Sequence, residues 1–357
     1  MQAQQHGAAT EFTEIPEIDM APFVRWWGYV LERRAAAAEI EAAGRATAER
    51  IGAACRSVGF MVLYNTGIAD GLMDAALAAA RRFFAAPLAH KQTASNAGSR
   101  CYRGYEQLEG KEAWEMGREL PETGVLPLHG PNRWPAPDFG GGEFRASIEA
   151  YYSEAVVFAR CLLAAMCVAL GLPPDSMHAQ TDAALAHLRL WKYEAGSAAG
   201  SLPEHTDHGF LTLLLQDGGG GLQARNMHGR WVDVPPRPYS LAVNTGRLLS
   251  LWTANVFPAT FHRVLNNPEH DRYSLPLFFG TNYETVIVPL APRGSGPETE
   301  TQRQSSVVCG EYIAAGYAWQ GAVNAGEASA ADAAEQAGAD YAEHTVALDG
   351  EAAGERL

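Results

Sequence analysis

A mainly β core, a sandwich or barrel with flanking helices, is the fold class this sequence predicts. From about 185 to 290 the chain breaks into short apolar runs separated by turn residues: AHLRLWKY, GFLTLLLQ, GLQARN, RWVDV, YSLAVNT, ATFHRVL, RYSLPLFF and TVIVPL. Strands of this length and spacing favour a sandwich or barrel over βαβ units. Two Ala-rich segments, 35 to 56 and 71 to 86, space their larger apolar residues as helices do. A third periodic stretch, Phe144 to Leu172, ends at Gly171 and Pro173, as a long helix backing the β core would.

Along the chain, EIPEIDM (14–20) reads as a first edge strand, and GFMVLYNTG (59–67) as a β-branched and aromatic strand closed by glycine. Residues 95 to 142 are rich in Gly, Pro, Trp and charge with little periodicity, which predicts a long loop of functional length. GEYIAAGYAW (310–319) predicts a last helix. The organisation is then 1–142 for an N-terminal helix and strand region carrying the long loop, 143–320 for the backing helix and β core, and 321–357 for a flexible tail. That tail has 13 alanines, and its eight acids against Arg356 carry half of the chain's net charge of −14.

A chain of 357 residues with 47% hydrophobic content can bury a large core. Its acidity argues against nucleic-acid and anionic-membrane partners, which need basic patches. The N-terminus lacks the basic and apolar regions of a signal peptide, and no apolar stretch is expected to reach the length of a membrane span. The five cysteines (55, 101, 161, 167 and 309) form an odd, scattered set without a CxxC pair. They predict reduced thiols and a cytoplasmic protein. Oligomeric state is left open.

The chemistry concentrates in PEHTDHGFLTLLL (203–215). His205 and Asp207 stand at i and i+2, so on an extended strand both point to one face and can bind a single ion. The apolar continuation GFLTLLL then reads as the barrel wall that holds them. This is the one His-x-Asp or His-x-Glu in the chain, and His262 follows in a later predicted strand. Two histidines and one carboxylate are the facial triad of non-haem Fe(II) oxygenases, with positions left open for co-substrate and dioxygen. Ten residues on, Arg272-x-Ser274 offers a planar cation and a hydroxyl on one strand face, suited to the far carboxylate of a keto acid that chelates the iron. His208 falls on the opposite face and is excluded as a ligand. Arg103 and Tyr105, in the long loop, are candidates for substrate contact. Trp191, Trp252, Phe278 and Phe279 read as core.

These motifs resemble the isopenicillin N synthase-like branch of the Fe(II)/2-oxoglutarate-dependent dioxygenases. The resemblance runs from about 14 to 318, through IPEIDM, GFMVLYNTGI, YRGY, KEAWEMGREL, LRLWKY, HTDHGFLTLLLQD, GRWVDVPP, FHRV and RYSLPLFF. It implies a double-stranded β-helix (jelly roll) core and Fe(II) held by His205, Asp207 and His262. It also implies that Arg272, Ser274 and Tyr193 receive the 2-oxoglutarate C5 carboxylate, and that O2 is the second co-substrate. The implied reaction couples decarboxylation of 2-oxoglutarate to oxidation of a C–H bond in a small molecule, as hydroxylation by default or as desaturation or cyclisation, and secondary metabolism is the implied setting. Departures from the family pattern are Thr66 in Asn-Thr-Gly, and Arg247 and Phe261, which stand where they could alter the approach to His262. Two other readings are an Fe(II) oxidase of this fold without the keto acid, isopenicillin N synthase-type or ascorbate-dependent, and a non-catalytic jelly-roll binding protein.

Overall fold

The computed structural model describes residues 11–121, 126–137, 140–290 and 306–324. The tail expected from 321 onward lies, past Asn324, outside the described residues. In chain order the elements are β1 (Glu17–Asp19), α1 (Ala21–Leu31), α2 (Ala38–Ser57), β2 (Phe60–Tyr64), α3 (Asp70–Ala85), α4 (Leu88–Lys91), β3 (Gly104–Leu108), β4 (Lys111–Gly117), α5 (Gly141–Ala169), β5 (Ala186–Tyr193) and β6 (Leu202–His205). There follow β7 (Leu211–Gln216), β8 (Leu222–Arg225), β9 (Trp231–Asp233), β10 (Ser240–Thr245), α6 (Arg247–Trp252), β11 (His262–Val264), β12 (Arg272–Phe279), β13 (Val286–Ile287), β14 (Val307–Val308) and α7 (Cys309–Asn324).

Eight strands form a major sheet in the order β1-β2-β10-β7-β12-β5-β4-β3, and four form a minor sheet in the order β6-β11-β8-β9. The major sheet has two distinct faces because side chains alternate along each strand. One face is built of Leu188, Leu190, Leu211, Leu213, Leu275 and Leu277 and packs on the helices. The other carries Phe60, Val62, Trp191, Tyr193, Leu214 and Ala242, and meets Leu222, Ala224 and Val264 of the minor sheet. Two sheets closed over a shared interior, with helices against one outer face, make the jelly roll with flanking helices. All five cysteines are buried and unpaired.

Four features depart from the sequence expectation. Residues 21–31 form α1, started by Pro22 and by Asp19, whose Oδ1 accepts the Ala21 N–H at 3.0 Å. Residues 104–117, expected as loop, form the hairpin β3–β4 at the edge of the major sheet. Their charges hid the strand alternation because their partners are remote in sequence: Glu112 pairs with Lys91 and Lys192, and Glu115 with Arg189. As a result the major sheet takes four of its eight strands from residues before 143. By length and composition α5 is long enough and apolar enough to cross a membrane, which the sequence reading did not expect. It packs on α2 and α3, with 56% of its most apolar window buried, as a core helix does.

The fourth departure concerns the His-x-Asp motif itself. The strand bearing His205 ends at that residue, and Thr206 and Asp207 belong to no strand. Residues 206–210 carry the chain from the minor sheet to β7 of the major sheet. GFLTLLL is therefore a wall of the other sheet and not a continuation of the strand holding His205.

Candidate active site

His205, Asp207 and His262 converge, each with a ligand atom within 4.8 Å of the others'. His262 is the direct cross-strand partner of His205 in the β6–β11 ladder. The crossover then bends Asp207 in from the side, where its Oδ1 lies 3.7 Å from Nε2 of each histidine. Both Nδ1 atoms are spoken for by backbone carbonyls two residues upstream, Pro203 O at 2.8 Å from His205 and Thr260 O at 3.2 Å from His262. A carbonyl can only accept, so Nδ1 carries the proton and Nε2 presents its lone pair to the centre. Burial and the neighbouring His262 push His205 down to about 4, so it is a neutral imidazole at physiological pH.

Asp207 is oriented by residues that sequence reading missed. Its Oδ2 accepts the Thr212 hydroxyl and, at 2.7 Å, the Asn244 amide, leaving Oδ1 free. Burial would raise this carboxyl, but His262, His205 and those two hydrogen bonds hold it below its ordinary range. Thr212 and Asn244 were visible as the odd polar residues inside LTLLLQ and SLAVNT. Breaking both hydrogen bonds with Thr212→Val and Asn244→Leu should weaken iron binding about 10- to 100-fold without removing a ligand. Metal titration of the double variant checks this, and unchanged affinity would show that the carboxylate needs no support.

The departures from the family pattern fall in different places. Arg247 Nε donates to Thr206 Oγ1 at 2.6 Å and its backbone N–H to the Asp207 carbonyl at 2.8 Å, so it grips the crossover between the two motif residues. Phe261 lies on the surface under the Arg225 guanidinium. Thr66 is buried and accepts the Ile68 N–H. His208 packs toward Tyr312 of α7, outside the triad.

Arg272 sits on the same inner face, 1% exposed, paired across the ladder with Tyr193. Its guanidinium donates to Gly220 O, Ser274 Oγ and Gln216 Oε1 at 2.7, 3.0 and 3.0 Å, and lies 5.1 Å from the Tyr193 ring centroid. Among the described residues no carboxylate comes within ion-pair distance. A buried cation with only neutral acceptors has the charge to take an anion. Gln216 is a further residue that the sequence reading did not single out. The donor set fits the expected groups: two neutral imidazoles and one carboxylate oxygen suit Fe(II), and Arg272 suits the distal carboxylate of 2-oxoglutarate.

The two loop candidates for substrate contact lie in different surroundings. Arg103 faces the interior beside Glu115. Tyr105 points to the opposite face of β3, against Phe83, and donates its hydroxyl to Glu112 at 2.6 Å. It belongs to the helix-side core. Phe278, expected as core, is on the inner face between Thr212 and His187 and keeps part of its surface exposed. Trp252 and Phe279 are core, while Trp191 is buried on the inner face.

The jelly roll and its two-histidine, one-carboxylate cluster define a non-haem iron oxygenase. Residues 178–281 match the 2OG-Fe(II) oxygenase superfamily, and residues 15–137 match the N-terminal region described as non-haem dioxygenase in morphine synthesis. The 2-oxoglutarate-dependent dioxygenase caaD of Aspergillus niger is 31% identical over 272 residues, which is 70% of this chain and 82% of that protein. The homoarginine-6-hydroxylase 2-ODD-C23.1 of Arabidopsis thaliana is 29% identical, over 68% and 79% of the two chains. Among solved structures, a full-length Neurospora crassa protein in complex with alpha-KG and 5-formyluracil superposes with a TM-score of 0.71 at 25% identity, covering 86% of this chain and 97% of that one. The chain belongs to the 2OG-Fe(II) oxygenase superfamily, and it is a 2-oxoglutarate-dependent dioxygenase that uses Fe(II).

Proposed function

We propose that His205 Nε2, Asp207 Oδ1 and His262 Nε2 hold the Fe(II), and that Arg272, Ser274 and Tyr193 receive the C5 carboxylate of 2-oxoglutarate. The observation that carries this reading is the buried Arg272 cation, which has no carboxylate partner among the described residues and lies on the inner face that also supplies Thr212 and Asn244 to Asp207. Fe(II) bound there supplies the redox chemistry that couples 2-oxoglutarate decarboxylation to substrate oxidation. The protein's part is to leave coordination positions open, to fix the keto acid by its far end, and to present the substrate C–H over the triad.

The substrate is a small molecule and hydroxylation is the default outcome. The named activity of the plant relative on homoarginine supports the size class. Fungal 2-oxoglutarate-dependent dioxygenases at about this identity support a role in secondary metabolism. Five unpaired buried thiols support a cytosolic setting.

Anaerobic addition of 2-oxoglutarate to the Fe(II) protein tests the proposal. The expected result is a visible metal-to-ligand charge-transfer band. Its absence would favour an oxidase of this fold that takes no keto acid. Bound metal without oxygen uptake across a substrate panel would point to a binding protein.

A further inference from the structure

The inner face of the major sheet carries a second polar group that the triad and the Arg272 pocket do not use. His187 on β5 is the register partner of Phe278, and Phe278 is the register partner of Thr212, whose hydroxyl bonds Asp207. Two inter-strand steps, about 10 Å, therefore separate His187 from the strand position that supports Asp207. Between them Phe278 keeps part of its surface exposed. Around His187 stand Arg103, Glu115, Arg189 and, from α7, Tyr317. His187 and Arg103 are 3% and 2% exposed.

Hydrogen bonding fixes the His187 tautomer. The Tyr317 hydroxyl donates its proton to Glu115 Oε1 at 2.8 Å, so at His187 Nδ1, 2.8 Å away, the tyrosine oxygen can only accept. The other polar atom near Nδ1 is the same Glu115 oxygen, at 3.5 Å. Nδ1 therefore carries the proton, and Nε2 of the neutral ring is an acceptor. That atom is buried and has no hydrogen-bond partner. Burial and the charge of Arg103 push His187 down to about 4, which keeps the ring neutral at physiological pH.

Arg103 supplies the opposite valence. Its Nη2 donates to Leu128 O at 3.0 Å, while Nε and Nη1 are buried without a hydrogen-bond acceptor, Nη1 standing 3.5 Å from Glu115 Oε1. Both neighbours that hold it are in the left-handed region, Tyr102 at φ 60° and Leu128 at φ 64°. Such conformations cost energy and persist where the fold over-determines them. The guanidinium lies over Gly117, the register partner of His187, in space that a Cβ there would fill. Arg189, by contrast, is paired with both Glu115 and Glu106 at 2.8 and 2.6 Å. With two arginines against two glutamates and a neutral histidine, the group as a whole is uncharged. A ligand anion would meet Glu115 and the His187 lone pair, and a ligand cation would meet two guanidinium groups.

We propose that His187 and Arg103 are specificity-determining residues that select an uncharged substrate group carrying a hydrogen-bond donor beside an acceptor, as in an amide or imide. The donor goes to His187 Nε2 and the acceptor to the N–H groups of Arg103 that lack a hydrogen-bond acceptor, Nε foremost. Buried polar atoms built for such a group reject analogues that lack it, because the unmatched atoms then stay unpaired. This assignment rests on the reading of the triad and Arg272 given above.

The test is calorimetric titration of the Fe(II) and 2-oxoglutarate-loaded protein under nitrogen with four six-membered-ring probes. Glutarimide offers donor and acceptor, cyclohexanone an acceptor only, cyclohexanecarboxylate is an anion and cyclohexylamine a cation. Glutarimide is expected to bind at least tenfold tighter than the other three. His187→Leu should abolish that preference, and His187→Gln, which restores an acceptor, should recover part of it. Arg103→Met should weaken glutarimide and cyclohexanone together. Equal binding of the four probes, tightest binding of a charged probe, no binding of glutarimide, or the same preference in His187→Leu as in the wild type would overturn the inference. The charge-transfer band of the wild type with 2-oxoglutarate is read first and involves no probe, so a failure of the underlying reading is seen separately.

Discussion

Asp207→Asn is expected to abolish 2-oxoglutarate turnover while leaving the fold intact. The substitution keeps the shape of the side chain but removes the charge that offsets part of the metal's, and it leaves two neutral imidazoles to hold a divalent cation. Disturbing only the support of a ligand costs about 10- to 100-fold, so loss of the ligand charge should exceed roughly 100-fold in iron affinity or in succinate formation. His205→Ala should be equally silent, since its Nε2 is one of the three atoms facing the centre. Iron content after dialysis and succinate formation are the two measurements. An Asp207→Asn protein that retained both would remove this cluster from the role assigned to it. A circular dichroism melt separates the intended effect from unfolding, because the Thr212 and Asn244 donors still find an amide oxygen at position 207.

Arg272→Met is expected to act on the keto acid alone. Truncating one member of a buried, hydrogen-bonded charge pair costs about 2–5 kcal/mol, which corresponds to a rise of roughly 30- to 5000-fold in the 2-oxoglutarate dissociation constant. Iron binding should stay near wild type, since the Arg272 guanidinium bonds Gly220, Ser274 and Gln216 rather than the triad. Thermal stability offers an independent readout: 2-oxoglutarate at a hundredfold above its dissociation constant should stabilise the wild type by about 2.7 kcal/mol, and the same concentration should do little for the variant. Wild-type affinity for 2-oxoglutarate in Arg272→Met would place the carboxylate elsewhere. Arg272→Lys keeps the charge but loses the planar fork, so an intermediate affinity is expected.

Much of this is legible in the amino-acid sequence alone. The strands from Ala186 to Phe279 other than β6 were marked by apolar runs and turn residues, and the long helix by its period, because those signals are local. His205, Asp207 and His262 were legible for the same reason: the tripeptide and a later strand histidine are patterns within short windows. The hairpin of β3 and β4 was not, because Glu112 and Glu115 read as solvated charges until Lys91, Lys192 and Arg189 are folded against them. Nor was the fate of Tyr105, whose side of the strand depends on the register with Trp114.

The sequence by itself determined which residues are candidates for the chemistry, since ligand types, Arg-x-Ser and strand periodicity are properties of neighbouring positions. Only the tertiary structure decided how they meet. His205 ends a strand of one sheet, Asp207 is swung in by a crossover to the other, and His262 faces His205 across a ladder between residues 57 positions apart. Register between β4 and β5 sets Glu115 beside His187, and α7 brings Tyr317 to both, which fixes a tautomer that no local pattern encodes. The reason is physical: side-chain type and period are written along the chain, whereas the partner that completes a buried charge or hydrogen bond is chosen by sheet register and packing.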